Sequence, residues 1–345
     1  MDKFEFKKLM IVGGTGLLGN EATKVALERG YKVGALAIDD AKADEWYPKE
    51  VDYQICDVFE TSEDELVKKF EGYDALIYAV GPDDRYSPNE PAYEFFKLRL
   101  VDHAAKVLRA ARTAGIKKAS VCSSYFLYFD RKFPEKELSK VHPYIKVRKE
   151  QAERLLKEAN DDRDGLPKLE VCIMELPYIF GVCPNRYPIW REVFLERFAN
   201  GKKSIFFTKG GSVMCTTRFI GEALVGALEY GEPGKHYAIG DENLDFDTML
   251  NTLLTGIQGK PRKIVHAPRG IASWGADLLA KRDNKKGLYH GLDLGRVIKD
   301  IQTDYFYYPE EEIVKTCNEL HLTRGGVKEA ILEAGKACYA PGEFK

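Results

Sequence analysis

Much of what this chain lacks narrows it before any motif is read. Its seven cysteines, Cys56, Cys122, Cys172, Cys183, Cys215, Cys317 and Cys338, are an odd, scattered set with no CxxC pair. That scatter argues against a disulfide frame and a cysteine-based zinc site, and it fits reduced thiols in a cytoplasmic protein, most of them small core residues. The six histidines, His103, His142, His236, His266, His290 and His321, show no metal-ligand spacing, so no metal is expected. No apolar run approaches membrane-spanning length, and positions 1–8 alternate charge with phenylalanine where a signal peptide would be apolar. Charge of one sign is missing too: 52 basic against 54 acidic side chains leave a formal charge of −2. Such a balance carries no electrostatic footprint for nucleic acid or an anionic membrane. Internal repeats and low-complexity tracts are absent. What is present is 345 residues, 44% of them hydrophobic, enough for one large α/β body or for a larger and a smaller lobe.

The strongest local signal is Leu9-Met-Ile-Val-Gly-Gly-Thr-Gly-Leu-Leu-Gly19. Four apolar residues read as a buried strand, glycines follow at once, and residues 20–29 can form a helix with Ala22, Val25 and Ala26 on one face. Two glycine spacings are satisfied together, Gly14-x-Gly16-x-x-Gly19 and Gly13-x-x-Gly16-x-x-Gly19. Strand, glycine turn and helix in that order suit a dinucleotide: the turn brings backbone N–H groups close to a pyrophosphate, and the helix N-terminus faces it. A ligand-free strand-to-helix turn is the alternative. A second strand is predicted over 31–38, ending at Asp39 and Asp40. An acid about 20 positions beyond the glycines commonly bonds the adenosine ribose. Asp39 lies there, and its charge would repel a 2′-phosphate, so NAD is expected over NADP. Solvated loop acids are the plain alternative.

Further strands are predicted over 52–57, 75–81, 118–124 and 169–176, alternating with helices over 62–70, 95–115 and 142–159. Strands alternating with helices imply a parallel, doubly wound Rossmann sheet of the α/β class. From about Val182 the pattern loosens into short strands over 204–208 and 236–239 and helices over 190–200, 219–229, 246–254 and 326–337. The expected organisation is a dinucleotide-binding domain over 1–181 and a smaller C-terminal α/β substrate lobe over 182–345, with some of its elements returning to the main sheet.

Taken in order, these pieces resemble the extended short-chain dehydrogenase/reductase group, in particular its NAD-dependent epimerase/dehydratase family. The matching segments are Val12-Gly-Gly-Thr-Gly-Leu-Leu-Gly19, Cys56-Asp-Val58, Ala79-Val-Gly81, Ala110-Ala-Arg112, Ser123-Ser124, the helix from Lys149 to Glu153, and Leu176-Pro-Tyr-Ile-Phe-Gly181. The resemblance implies cofactor contacts at Gly13, Thr15, Gly16, Leu17, Leu18 and Gly19, adenine contacts at Asp57 and Val58, further contacts at Ala79 and Gly81, and nicotinamide-side contacts near Pro177. It also implies a homodimer through the helices over 95–115 and 143–159.

The family's chemistry uses a serine, a tyrosine and a lysine, often with an asparagine. Ser124, at the end of the fifth strand, fits the serine. The Tyr-x-x-x-Lys pattern is broken: Tyr144 is followed at that spacing by Arg148, and Lys149 is preceded at it by Ile145. In one register Tyr144 and Arg148 share a helix face. In the other Lys149 holds the cofactor ribose, which the following Ala152-Glu153 favours. A shifted Tyr144 working beside Lys149 is the third arrangement. The asparagine position falls on Leu100, which cannot continue a proton relay. His142, two residues before Tyr144, is either a substitute acid–base group or an exposed loop residue. Phe206, Phe207, Trp190, Trp274 and the Tyr305-Phe-Tyr-Tyr308 run are either pocket lining or core. Two functions follow. One is an NAD(P)-dependent oxidoreductase or epimerase-like enzyme acting on a hydroxyl or carbonyl of a small molecule, with Ser124, Tyr144 and Lys149 as its catalytic group. The other is a dinucleotide-loaded sensor or scaffold whose catalysis is lost.

Overall fold

Leu9, Met10, Ile11 and Val12 form a strand closed to solvent at the heart of a seven-stranded parallel sheet, in a computed structural model that describes residues 3–39, 42–162 and 165–345. An unbroken apolar run is what a strand covered on both faces requires. Leu9 and Ile11 point into one core, Met10 and Val12 into the other.

The chain opens with β1 (Lys8–Val12), α1 (Leu17–Glu28) and β2 (Lys32–Ala37). The short α2 (Ala43–Trp46) leads to β3 (Asp52–Ile55), α3 (Glu63–Phe70) and β4 (Ala75–Tyr78). The capping box of Ser62 and Glu65 starts α3. Next, α4 (Ala92–Lys97) passes through a π-helical turn at Leu98–Asp102 into α5 (His103–Thr113), so the long helix expected over 95–115 carries a bulge. β5 (Lys118–Ser124), α6 (Phe126–Lys132), α7 (Leu138–Val141), α8 (Pro143–Ala159) and β6 (Glu170–Leu176) follow.

Beyond β6 come β7 (Tyr178–Phe180), a π-helical segment at Arg191–Ala199, β8 (Ser204–Phe207), β9 (Gly211–Thr216), α9 (Thr217–Tyr230) and β10 (His236–Ala238). The chain ends with β11 (Glu242–Asp245), α10 (Phe246–Gln258), β12 (Lys263–His266), α11 (Arg269–Asn284), α12 (Leu294–Val297), β13 (Tyr305–Phe306), α13 (Glu310–Leu320) and α14 (Val327–Ala337). The sequence pattern showed neither α11 nor α13.

The main sheet runs β10-β6-β5-β4-β1-β2-β3. β1 lies between β2 and β4, so strand order reverses there, and ligands of such sheets bind at the carboxyl ends beside that reversal. α1 and α9 cover one face, while α3, α5 and α8 cover the other. Both α9 and β10 come from beyond residue 182, yet they belong to the layers of the main sheet. The remainder is a smaller lobe. Its β9 pairs with β7, β11 and β13, and its own core includes Phe180, Trp190, Phe194, Met249 and Ile331.

Candidate active site

β1 ends at Val12, and the chain turns through Gly13 in the left-handed region at φ +94°. A Cβ there would stand 2.6 Å from the Ala79 carbonyl oxygen, so β1 and the end of β4 meet backbone to backbone. A Cβ on Gly19 would overlap the Gly13 carbonyl oxygen, which is why the first turn of α1 can sit over the end of β1. Gly16 is different: only Gly13 O lies near its missing Cβ, at 3.2 Å, and its other side is open. No side chain caps α1 at Gly16, so the N–H groups of the first turn, from Leu17, Leu18 and Gly19, meet no capping acceptor. Thr15 is buried behind them. A bare backbone surface at the positive end of a helix, at the strand-order reversal, fits a dinucleotide pyrophosphate.

Asp39 follows β2. Its carboxylate accepts from Arg186 Nη2 at 3.1 and 3.5 Å, and its carbonyl accepts from Tyr53 Oη at 2.5 Å. Asp40 lies outside the described residues. Asp57, after β3, accepts the Phe59 N–H on Oδ1 at 2.9 Å, a local turn that leaves Oδ2 without a partner among the described residues. Val58 beside it is buried. Gly81 has φ +123°, and Leu100 fills the space where its side chain would be. Leu100 is itself fully buried, so the position expected of an asparagine is an apolar plug at the end of β4. Pro177 follows Leu176, the register partner of Ser124 on β5.

α8 carries Tyr144, Arg148 and Lys149. Tyr144 and Arg148 are both buried, and Arg148 Nε donates to Tyr144 Oη at 2.8 Å. Arg148 Nη1 also donates to Gln151 Oε1 at 2.8 Å and to the Cys122 carbonyl at 3.4 Å. Lys149 is one residue on, about 100° around the helix. Its side chain is 51% exposed and pairs with Asp130 Oδ2 at 3.5 Å. The helix thus sets Arg148 beside the phenol and turns Lys149 toward Asp130 and solvent. Burial pushes the Tyr144 phenol up to about 12, with Asp84 and Asp83 adding to the rise, although the Arg148 charge and hydrogen bond work against it. Ser124 is buried and accepts a long bond from Phe126 N at 3.4 Å, so its own proton remains available. His142 is not exposed as a loop residue would be. It is fully buried, its Nδ1 accepts from Asp293 N at 3.1 Å, and burial lowers its pKa to about 4. It is a neutral anchor for the start of α8.

Sequence reasoning missed the loop after β4. Asp83 holds Arg85 with two hydrogen bonds, to Nε at 3.0 Å and Nη2 at 2.7 Å. The Arg85 guanidinium lies over the Trp190 ring, 5.2 Å from its centroid. Burial would raise the Asp83 carboxyl, but Arg85 keeps it low. Burial and the Asp83 charge push Asp84 up against the pull of Arg85. Tyr178 and Tyr125 stand near these charges, and burial raises both phenols. Pro82-Asp-Asp-Arg85 directly after a buried strand was the available signal, because ligands of such sheets gather at strand ends. Residues 289–293 strap this loop to α8. Tyr289 N donates to Pro88 O at 2.9 Å, Ser87 Oγ meets His290 Nδ1 at 2.9 Å, and Tyr144 N donates to Gly291 O at 2.8 Å. The aromatic candidates divide: Trp190, Phe207, Phe306 and Tyr308 are core, while Phe206, Trp274 and Tyr305 are exposed. Among the described residues all seven cysteines are free and buried, and burial raises Cys122 to about 12.

Comparisons with known proteins agree with this geometry. Residues 13–162 match a family described as NAD(P)H-binding. The mouse (Mus musculus) sterol-4-alpha-carboxylate 3-dehydrogenase, decarboxylating, is 26% identical over 289 residues, covering 79% of this chain and 75% of that protein. Among solved structures, gox2253 superposes with a TM-score of 0.72 at 16% identity, covering 98% of this chain and 100% of that one. UDP-glucuronic acid 4-epimerase from Bacillus cereus, solved with UDP-glucuronic acid and NAD, gives a TM-score of 0.63 at 13% identity, covering 96% and 100%. The NAD(P)H-binding match thus falls on the glycine turn and the sheet around it, and the solved structures share the fold of nearly the whole chain.

Proposed function

We propose that this chain catalyses hydride exchange between NAD and a hydroxyl or carbonyl of a small molecule, with Tyr144 handling the proton. The turn that runs from Gly13, set against Ala79 where the strand order reverses, to the open Gly16 carries the proposal. Asp39 supports NAD as the preferred form. A bound nicotinamide supplies the hydride donor or acceptor, and the chain's own residues do the rest. Ser124 would donate its free proton to the substrate oxygen. Tyr144 is a neutral phenol at physiological pH because burial holds its pKa up, so it is equipped to protonate a developing alkoxide. Arg148 would stabilise the phenolate left behind. Being always charged, it cannot pass a proton onward, and neither can Leu100. Seven free thiols support a reducing, cytoplasmic setting. A homodimer through α5 and α8 is carried over from the family and is tested by sedimentation velocity.

The test follows reduced-nicotinamide absorbance while the protein is offered alcohols, ketones and nucleotide sugars. Turnover with at least one class is expected, and Tyr144→Phe should lower kcat by about 100-fold or more with cofactor affinity unchanged. Tight NAD binding with no turnover across the panel would instead establish the sensor or scaffold function. Turnover untouched by Tyr144→Phe would remove the phenol from the chemistry.

A further inference from the structure

α11 carries a stripe that the fold leaves uncovered. Ile271, Trp274 and Leu278 recur at i, i+3 and i+7, and they are 65%, 65% and 46% exposed. The opposite side of the helix is packed. Ser273 is buried and donates to Gly295 O at 3.0 Å, and Asp277 crowds Gly295 on α12. The outer stripe continues past Leu278 as Lys281, Arg282 and Lys285, and Lys286 follows the helix. All four are exposed. Among the described residues Lys281, Lys285 and Lys286 enter no ion pair, and Arg282 meets only its neighbour Asp283 at 3.4 Å. One face thus changes from apolar to basic along its length, with an exposed tryptophan in its apolar half. The formal charge of −2 for the whole chain conceals this cluster.

Two occupants suit an apolar face of this kind, and the charges discriminate between them. A second copy packed antiparallel would lay its basic end on the apolar half, and one packed parallel would set basic ends together. The face of a 16-residue helix, about 24 Å long and about 10 Å wide, also falls far short of the roughly 800 Å² per partner that a stable dimer buries. An anionic bilayer satisfies both halves: tryptophan and aliphatic side chains settle in the interfacial zone, and unpaired lysines meet lipid phosphates. We propose that α11 rests on an anionic membrane surface, its apolar half in the interface and its basic half on the headgroups. Among the described residues no helix is long and apolar enough to cross a membrane, so the proposed contact lies in the plane of the surface. The placement is independent of the catalytic proposal.

The full chain, with NAD present, is sedimented with vesicles of phosphatidylcholine alone and with vesicles that also contain phosphatidylserine. Affinity for the anionic vesicles should be at least about tenfold higher and should fall in about 0.5 M salt. Trp46 is half-buried and Trp190 buried, so the exposed Trp274 supplies the environment-sensitive part of the emission. A blue shift on binding should vanish in Trp274→Phe while sedimentation persists. Lys281→Glu with Lys285→Glu, and separately Ile271→Ser with Leu278→Ser, should each remove vesicle binding and leave the melting temperature and NAD affinity unchanged. Absence of binding to anionic vesicles overturns the proposal. So does binding that survives both pairs of substitutions, or a vesicle-free dimer that Ile271→Ser with Leu278→Ser dissociates.

Discussion

Asp39 and Arg186 stand opposite each other at the mouth of β2, where the proposed ribose site would lie. A carboxylate bonds the 2′- and 3′-hydroxyls and repels a 2′-phosphate, whereas a guanidinium freed of its partner attracts one. Asp39→Ser should therefore shift the NADP-to-NAD affinity ratio by about tenfold or more toward NADP, read by quenching of protein fluorescence; an unchanged ratio would take Asp39 out of ribose recognition. Tyr144 makes the second residue-level prediction. Its folded pKa lies near 12, so the phenol is protonated from acid pH to well above neutral. Carbonyl reduction, which consumes that proton, should be flat between about pH 6 and 9. Alcohol oxidation, which needs the phenolate, should climb by up to about tenfold per pH unit over the same range. Equal profiles in both directions would mean that another group titrates in the chemistry. Spacing alone could not choose between Arg148 and Lys149, because both lie about one turn from the phenol. Burial decided it, through Cys122 and Gln151, which receive Arg148 from inside the fold.

At the scale of elements, the first β–α unit was fully legible because its rules are local. Four apolar residues, a turn that needs φ > 0 at Gly13, and an uncapped helix are all written within Leu9 to Glu28. The glycines nevertheless do separate jobs, which only the packing reveals. A methyl group at Gly19 must displace the Gly13 carbonyl, so Gly19→Ala should destabilise the fold by about 3 kcal/mol in denaturant melts. Gly16 has φ −73° and ψ 166°, a conformation alanine adopts readily. Gly16→Ala should thus melt within about 1 kcal/mol of the parent yet bind NAD at least about tenfold more weakly, since its methyl group faces the pyrophosphate side. Parent-like NAD affinity in Gly16→Ala would put the phosphates elsewhere. The π-helical turn at Leu98–Asp102, the Asp83–Arg85 loop and the strap at 289–293 were not legible. Each is fixed by a distant partner: Leu100 by Gly81, Arg85 by Trp190, and Gly291 by Tyr144.

For the whole molecule, the main sheet and the layers on it draw elements from both sides of residue 181. α9 packs on α1, β5 and β6, and its Phe219, Ile220, Ala223, Leu224, Ala227 and Leu228 are all buried. β10 closes the sheet beyond β6, pairing His236, Tyr237 and Ala238 with Ile173, Met174 and Glu175. Glu229, at the end of α9, is 1% exposed and gathers Lys3, Arg29 and Tyr31 from the first β–α unit, while Phe4 N donates to its carbonyl at 2.7 Å. Removing residues 182–345 would leave one face of β5 and β6 without its helix, bare the edge of β6, and strip Arg29 and Lys3 of their carboxylate. Six apolar side chains of this kind each contribute roughly 1–3 kcal/mol when buried, more together than the net stability of a typical domain. A 1–181 fragment should accordingly show no cooperative thermal transition and should bind the dye ANS, although it contains every residue assigned to the cofactor. A sharp melt together with NAD binding by that fragment would show that the dinucleotide half stands alone. The expected failure places the dependence in packing: the cofactor turn is written in the first thirty residues, and the surface that holds its sheet together is supplied two hundred residues later.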